Sequence, residues 1–236
     1  MSAASDRLIL ALDVSTAAEA RKIVSAVGPS VGVFKVGKQL FTAEGPQVVR
    51  DLVGSGRKVF LDLKFHDIPN TVAGAVASAG SLGVSMLTVH TSGGSKMLKA
   101  AAEAAAQSAA KPMVLGVTLL TSIAQADLEE VGVAGTVEAQ VLRLADLAVQ
   151  AGCGGIVASA HEARQIRGVL GAGFAIVVPG VRPAGTAAGD QARVVTPAEA
   201  LAAGATHIVV GRPITAAADP AKAADTIVRE LETVPN

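Results

Sequence analysis

Asp62 and Lys64 stand two residues apart in the otherwise largely apolar run 57–64 (RKVFLDLK). Residues i and i+2 of a strand share a face, so a carboxylate and an ammonium should project together, with Val59, Leu61 and Leu63 on the other face. Other apolar runs also end in, or carry, polar groups. Asp13 closes 8–13, Lys35 lies inside 31–36, His90 closes 84–90, Thr118 and Thr121 follow the start of 113–119, and Gly211-Arg212 closes 206–211. Lys and Asp are rarely buried in such surroundings unless they pair. At an effective dielectric near 20, opposite unit charges about 4 Å apart attract by roughly 4 kcal/mol, which offsets much of their desolvation. A cluster of Asp13, Lys35, Asp62 and Lys64 would therefore hold fixed charges where a reaction develops charge, as electrostatic catalysis requires.

A second group of residues suits a phosphate. The segments 179–193 (PGVRPAGTAAGDQAR) and 210–220 (VGRPITAAADP) combine glycines with arginines. Gly180 and Gly211 would let a ligand approach the backbone closely, and the planar guanidinium groups of Arg182 and Arg212 fit phosphate oxygens. The stretch 182–193 is long for a strand-to-helix connection and reads as a lid. His66, His90, His161 and His207 show no metal-binding spacing, and His161 and His207 read as surface or packing residues. Asp62, His66 and Asp67 could in principle hold a divalent ion, but Lys35 and Lys64 pointing into the same space oppose one. No metal site is expected. Cys153, between two glycines, reads as a small buried filler.

The elements that must position these groups are eight short apolar runs rich in Val and Ile: 8–13, 31–36, 57–64, 84–90, 113–119, 154–159, 175–180 and 206–211. Near-continuous apolarity predicts parallel strands covered on both faces. Alanine-rich helical stretches lie between them. Thr16-Ala-Ala-Glu19, Ser159-Ala-His-Glu162 and Thr196-Pro-Ala-Glu199 fit a capping box, and Asp219-Pro220 places a cap before a proline at the first helical position. Eight strands alternating with helices over 236 residues predict an α/β fold, a single-domain (β/α)8 TIM barrel spanning 1–236, ahead of a doubly wound sheet. Such barrels carry their chemistry at the C-terminal ends of the strands, where these polar groups fall.

Composition narrows the function classes. Half the residues are hydrophobic and 17% are charged, so the chain can bury a sizeable core. A net charge of zero and five Phe with no Trp or Tyr argue against a nucleic-acid surface. The lone cysteine and a start without a signal-peptide pattern predict a cytoplasmic protein. Residues 68–95 lack Lys, Arg, Asp and Glu, but their Pro, Asn, Ser and Gly exclude a membrane span and predict a buried helix and strand.

The run Asp62-Leu-Lys-Phe-His-Asp67-Ile-Pro-Asn-Thr71 closely resembles the signature of the orotidine 5′-phosphate decarboxylase family. The likeness extends over nearly the whole chain, through ALD at 11–13, FKVG at 34–37, LTS at 120–122, PGVR at 179–182, DQ at 190–191 and VGRPIT at 210–215. The resemblance implies a homodimeric barrel that converts orotidine 5′-phosphate to uridine 5′-phosphate and carbon dioxide without metal or organic cofactor. It places Lys64 as the proton donor to C6, Asp62 against the departing carboxylate, and Asp13 and Lys35 at the ribose hydroxyls, with Lys35 also joining the charge network. It sends Asp67, Ile68 and Thr71 into the neighbouring subunit's site, and sets Thr121 and Ser122 at the pyrimidine edge. Arg182, Gln191, Gly211 and Arg212 then grip the phosphate.

Two rivals remain. Magnesium-dependent sugar-phosphate enzymes, such as 3-keto-gulonate 6-phosphate decarboxylase and hexulose-phosphate synthase, share the Asp-x-Lys-x-x-Asp core but carry a metal-binding carboxylate where this chain has Lys35. A non-catalytic nucleotide sensor would be expected to lose Lys64 or one of the aspartates, and all are present.

Overall fold

The apolar runs form eight parallel strands: β1 (Leu8–Ala11), β2 (Val33–Gly37), β3 (Lys58–Phe65), β4 (Met86–His90), β5 (Met113–Val117), β6 (Gly155–Val157), β7 (Ala175–Val178) and β8 (His207–Val210). In the computed structural model, which describes residues 4–183 and 195–234, each strand pairs with the next. β8 closes on β1 through Leu8↔Ile208, Ile9↔Val209 and Leu10↔Val210, completing the (β/α)8 barrel. Five strands stop one to two residues short of the sequence-predicted ends, β2 and β3 run one residue beyond them, and Leu12, Thr118 and Ala158 still donate to the neighbouring strand just past the assigned ends.

Alternation divides the side chains into two apolar layers. Ile9, Ala11, Val33, Phe60, Met86, Leu115, Ala175, Val177 and Val209 fill the barrel interior. Their neighbours, among them Leu8, Leu10, Phe34, Leu61, Leu87 and Ile176, pack outward beneath the helices. The inner plug ends just below Lys35, Asp62 and Thr88, which continue the inward-facing rows of β2, β3 and β4. It serves as the floor of the site.

Eleven α-helices surround the strands among the described residues: α1 (Ala17–Val27), α2 (Lys38–Glu44), α3 (Gln47–Gly54), α4 (Pro69–Ser81), α5 (Gly94–Gln107), α6 (Gln125–Glu130), α7 (Val137–Gln150), α8 (Ala160–Leu170), α9 (Pro197–Ala202), α10 (Arg212–Thr215) and α11 (Pro220–Glu232). The surplus over eight comes from paired helices after β2, β5 and β8. The hydroxyls of Ser159 and Thr196 accept from the N–H groups of Glu162 and Glu199, whose carboxylates return the bond, as expected of capping boxes. Thr16 caps α1 similarly, but Glu19 reaches back to the Ser15 N–H instead. Asp219 accepts from Lys222 N–H with Pro220 opening α11.

The uncharged helix within 68–95 departs from the expected burial and is only half buried. Val72, Val76, Ala79 and Gly80 face the protein, while Asn70, Thr71, Gly74, Ala77, Ser78 and Ser81 are not buried. No described helix is long and apolar enough to cross a membrane.

Candidate active site

The four charges meet at the mouth of the barrel. Lys35, on β2, is 9% exposed; its ammonium lies 3.0 Å from Asp13 Oδ1 and 3.7 Å from Asp62 Oδ2. Lys64 Nζ lies 2.8 Å from Asp62 Oδ1. The order Asp13–Lys35–Asp62–Lys64 therefore alternates in sign, and Asp62, in the middle, is held by a cation on each carboxylate oxygen. Burial opposes its charge, but the neighbouring ammonium groups of Lys35 and Lys64, with hydrogen bonds from Lys64 and Thr88, outweigh it. They hold the carboxyl below its ordinary value. Asp13 sits at the rim, its side chain 60% exposed.

Asp62 and Lys64 do share a side of the strand, but not through simple pleating. Pairing between β3 and β4 runs Leu61↔Leu87 and then Phe65↔Val89, so β3 bulges over the residues between. Lys64 sits in the bulge with φ 55°, a left-handed conformation rare for a residue with a Cβ. The bulge turns the lysine back over Asp62. Glycine makes room on the facing strand: a Cβ at Gly37 would come within 3.0 Å of Lys35 Nζ and 3.2 Å of Asp13 Oδ1.

Lys35, Asp62 and Lys64 form one wall of a cavity of about 270 Å³, with Phe60 and Val209 among its apolar lining. Thr121 and Ser122 border the same cavity from the segment after β5. Thr118 does not join them; it is buried and donates to the Val157 carbonyl. At the opposite side, Gly180 adopts φ 75° after β7, and Arg182 follows, buried, its N–H donating to the Val195 carbonyl. Arg212 opens α10 and is exposed, with Gly211 as the preceding cap residue. Among the described residues a Cβ on Gly211 would meet only Ala11 Cβ, at an ordinary 3.6 Å, so their packing does not demand the glycine. Gln191 and most of the expected lid, residues 184–193, lie outside the described residues.

The remaining candidates separate cleanly. His90 packs its ring against His66, with centroids 5.6 Å apart, and does not line the cavity. Burial, aided by His66, Lys64 and Lys38, keeps its imidazole below the ordinary value. His161 is exposed, and His207 lies at the far end of the barrel beside Thr206. Burial pushes the Cys153 thiol up to about 12, which leaves it an inert filler. Among the described residues no three His, Cys, Asp or Glu side chains gather closely enough to hold a metal ion. Thr88 and Gly37 belong to the site but carry little chemical signal in sequence: a threonine in a strand reads as β-propensity, and a glycine beside a lysine as a turn.

With this geometry in view, the comparisons are specific. Residues 6–227 match the "Orotidine 5'-phosphate decarboxylase / HUMPS family". The chain belongs to this family. A protein of Anaeromyxobacter sp. (strain K) named orotidine 5′-phosphate decarboxylase is 56% identical over 227 residues, covering 96% of this chain and 99% of that protein. One of the same name from Moorella thermoacetica is 53% identical over 237 residues, covering 98% and 94%. The crystal structure of the Lactobacillus acidophilus orotidine 5′-phosphate decarboxylase superposes with a TM-score of 0.85 at 38% identity, covering 95% of this chain and 98% of that one.

Three residues that the resemblance singles out do not line the cavity. Asp67 is exposed, and its Oδ1 accepts from the Ile68 N–H at 2.6 Å. Ile68 is 66% exposed, and Thr71 is exposed in the first turn of α4. All three lie on the exposed surface at the start of α4, beside its uncharged outer face.

Proposed function

We propose that this chain is a carboxy-lyase that converts orotidine 5′-phosphate to uridine 5′-phosphate and carbon dioxide, in pyrimidine biosynthesis, using side chains alone. The observation that carries the reading is the pair of ammonium groups on Asp62: Lys64 at 2.8 Å and Lys35 at 3.7 Å, on the wall of a cavity. Breaking the C6–carboxylate bond releases carbon dioxide and leaves an electron pair on C6. The Lys64 ammonium stabilises that charge and then transfers a proton to C6, leaving a neutral amine that recovers its proton from solvent. Asp62 lies against the substrate carboxylate and fixes Lys64. Asp13 and Lys35 hold the ribose hydroxyls, Thr121 and Ser122 the pyrimidine, and Arg182, Gln191, Gly211 and Arg212 the phosphate. The sugar-phosphate rival is disfavoured by Lys35, whose ammonium stands between Asp13 and Asp62, where a divalent cation would need a ligand.

We further infer a cytoplasmic homodimer in which Asp67, Ile68 and Thr71 complete the partner's site. The large exposure of Ile68 and the uncharged surface of α4 support this, because a charge-poor face with an apolar anchor suits a protein interface. The test of the activity is ultraviolet absorbance of the purified protein mixed with orotidine 5′-phosphate, with and without a chelator. Equal turnover in both is expected. Activity lost to chelator and regained with magnesium would overturn the metal-free reading, and no turnover in either would overturn the substrate.

A further inference from the structure

Thr88 occupies the inward row of β4, 0% exposed, at the level of the bulge in β3. Its hydroxyl accepts from the Lys64 backbone N–H at 2.9 Å and donates to Asp62 Oδ1 at 3.0 Å. The same carboxylate oxygen accepts from the Lys64 ammonium at 2.8 Å. These groups close a ring: Lys64 N–H to Thr88 hydroxyl, hydroxyl to Asp62, and Asp62 back to the end of the Lys64 side chain.

The ring has two physical consequences. Lys64 is held at φ 55°, a conformation that costs a side-chain-bearing residue about 1–2 kcal/mol, and the bulge removes its N–H from the regular ladder. An acceptor must be found for that N–H, and Thr88 supplies it. Asp62 must also present one rotamer to two lysines, and the hydroxyl's single proton commits one of its oxygens. A β-branched side chain is well suited to this position, because its stiff χ1 keeps a buried hydroxyl in place without water to hold it.

We propose that Thr88 is a positioning residue, which acts through Lys64 and Asp62 by fixing the bulge that aims the ammonium and the rotamer of the carboxylate. It does not border the cavity, so it serves the chemical step rather than ligand affinity. The inference rests on the reading of Lys64 as proton donor.

The experiment compares Thr88→Val, which keeps shape and removes the hydroxyl, with Thr88→Ser, which keeps the hydroxyl. Thr88→Val should lower kcat by about tenfold to hundredfold, the consequence of misplacing the Lys64 ammonium and the Asp62 carboxylate. KM should stay within about threefold, since uniform binding is untouched. Thr88→Ser should restore most of kcat. The second readout needs no substrate: carbon NMR titration of the Asp62 carboxyl. That carboxylate faces Lys35 from β2, Lys64 from β3 and Thr88 from β4, with Asp13 behind Lys35 and His90 within electrostatic reach. Its midpoint should rise in Thr88→Val and stay near the wild-type value in Thr88→Ser. If Thr88→Val fails to fold, Thr88→Ala is read in the same two ways. A wild-type kcat without the hydroxyl, a serine variant as impaired as valine, or an unmoved Asp62 midpoint would each overturn the proposal. Because the titration is independent of turnover, an error about the proton donor leaves it intact and is told apart.

Discussion

Replacing Lys35 by methionine probes the charge cluster without touching the proposed proton donor. The lysine's ammonium stands 3.7 Å from Asp62 Oδ2, and both side chains are largely buried. At an effective dielectric near 20 their attraction is roughly 4.5 kcal/mol before desolvation is counted. Methionine removes the cost of burying an ammonium but leaves Asp62 buried with one cation instead of two. We expect a net loss of about 3 kcal/mol at pH 7, the lower end for a broken buried pair because Lys64 still holds Oδ1. For a domain of this size that is a fall in Tm of about 6–12 °C.

The pH dependence gives the sharper test. Burial is the largest influence on Asp62 and acts to raise its pKa, while Lys35 is the largest influence lowering it. In the wild type the carboxyl is below its ordinary value, so its stabilising contribution is full above the unfolded-state pKa and disappears as pH falls through the folded one. Without Lys35 that depression is smaller, because only Lys64 and Thr88 then act against burial. Its stability then rises less with pH through the carboxylate range than that of the wild type. The gap between wild type and Lys35→Met should therefore be wide at pH 7 and narrower near about pH 4.5 in urea unfolding, as the carboxylate range is entered. A gap independent of pH, or a variant as stable as wild type at pH 7, would refute the cluster electrostatics.

Arg212→Ala should lower kcat/KM for the phosphorylated substrate by at least about tenfold, since charge-assisted contacts are worth roughly 1.5–3 kcal/mol, and scarcely change the slow reaction of the free nucleoside. Equal losses on both substrates would remove the arginine from the phosphate grip. Inactive Asp67→Ala and Lys64→Ala subunits, mixed under conditions of proven exchange, should recover partial activity, because a heterodimer holds one site with both groups intact. No recovery would count against a shared site.

The barrel is legible because each strand is a short, nearly continuous apolar run without helical periodicity, and because Ser159, Thr196 and Asp219 mark helix starts by type and spacing. The charge cluster is legible for a related reason: Lys35 and Asp62 interrupt apolar runs where an unpaired charge would be costly. The backbone that assembles it is not. Counting i to i+2 along β3 places Asp62 beside Lys64, but the contact is made by a bulge with Lys64 left-handed, and lysine carries no sequence preference for that conformation. Thr88 is hidden for the same reason, since its role exists only relative to the bulge. The partial exposure of α4 is equally hard to read, because absence of charge suggests burial within the chain, whereas Gly74, Ala77 and Ser78 lie on its surface.

The central claim is that Lys64 both stabilises the charge at C6 and protonates it. Single-turnover measurement of orotidine 5′-phosphate loss by Lys64→Ala, on protein whose circular dichroism and oligomeric state match wild type, tests it most directly. General-acid catalysis contributes roughly 10²–10⁴-fold and fixed electrostatic stabilisation adds to it, so the variant should be slower by at least about 10³-fold. A folded Lys64→Ala protein that consumes substrate within about tenfold of the wild-type rate would contradict the account.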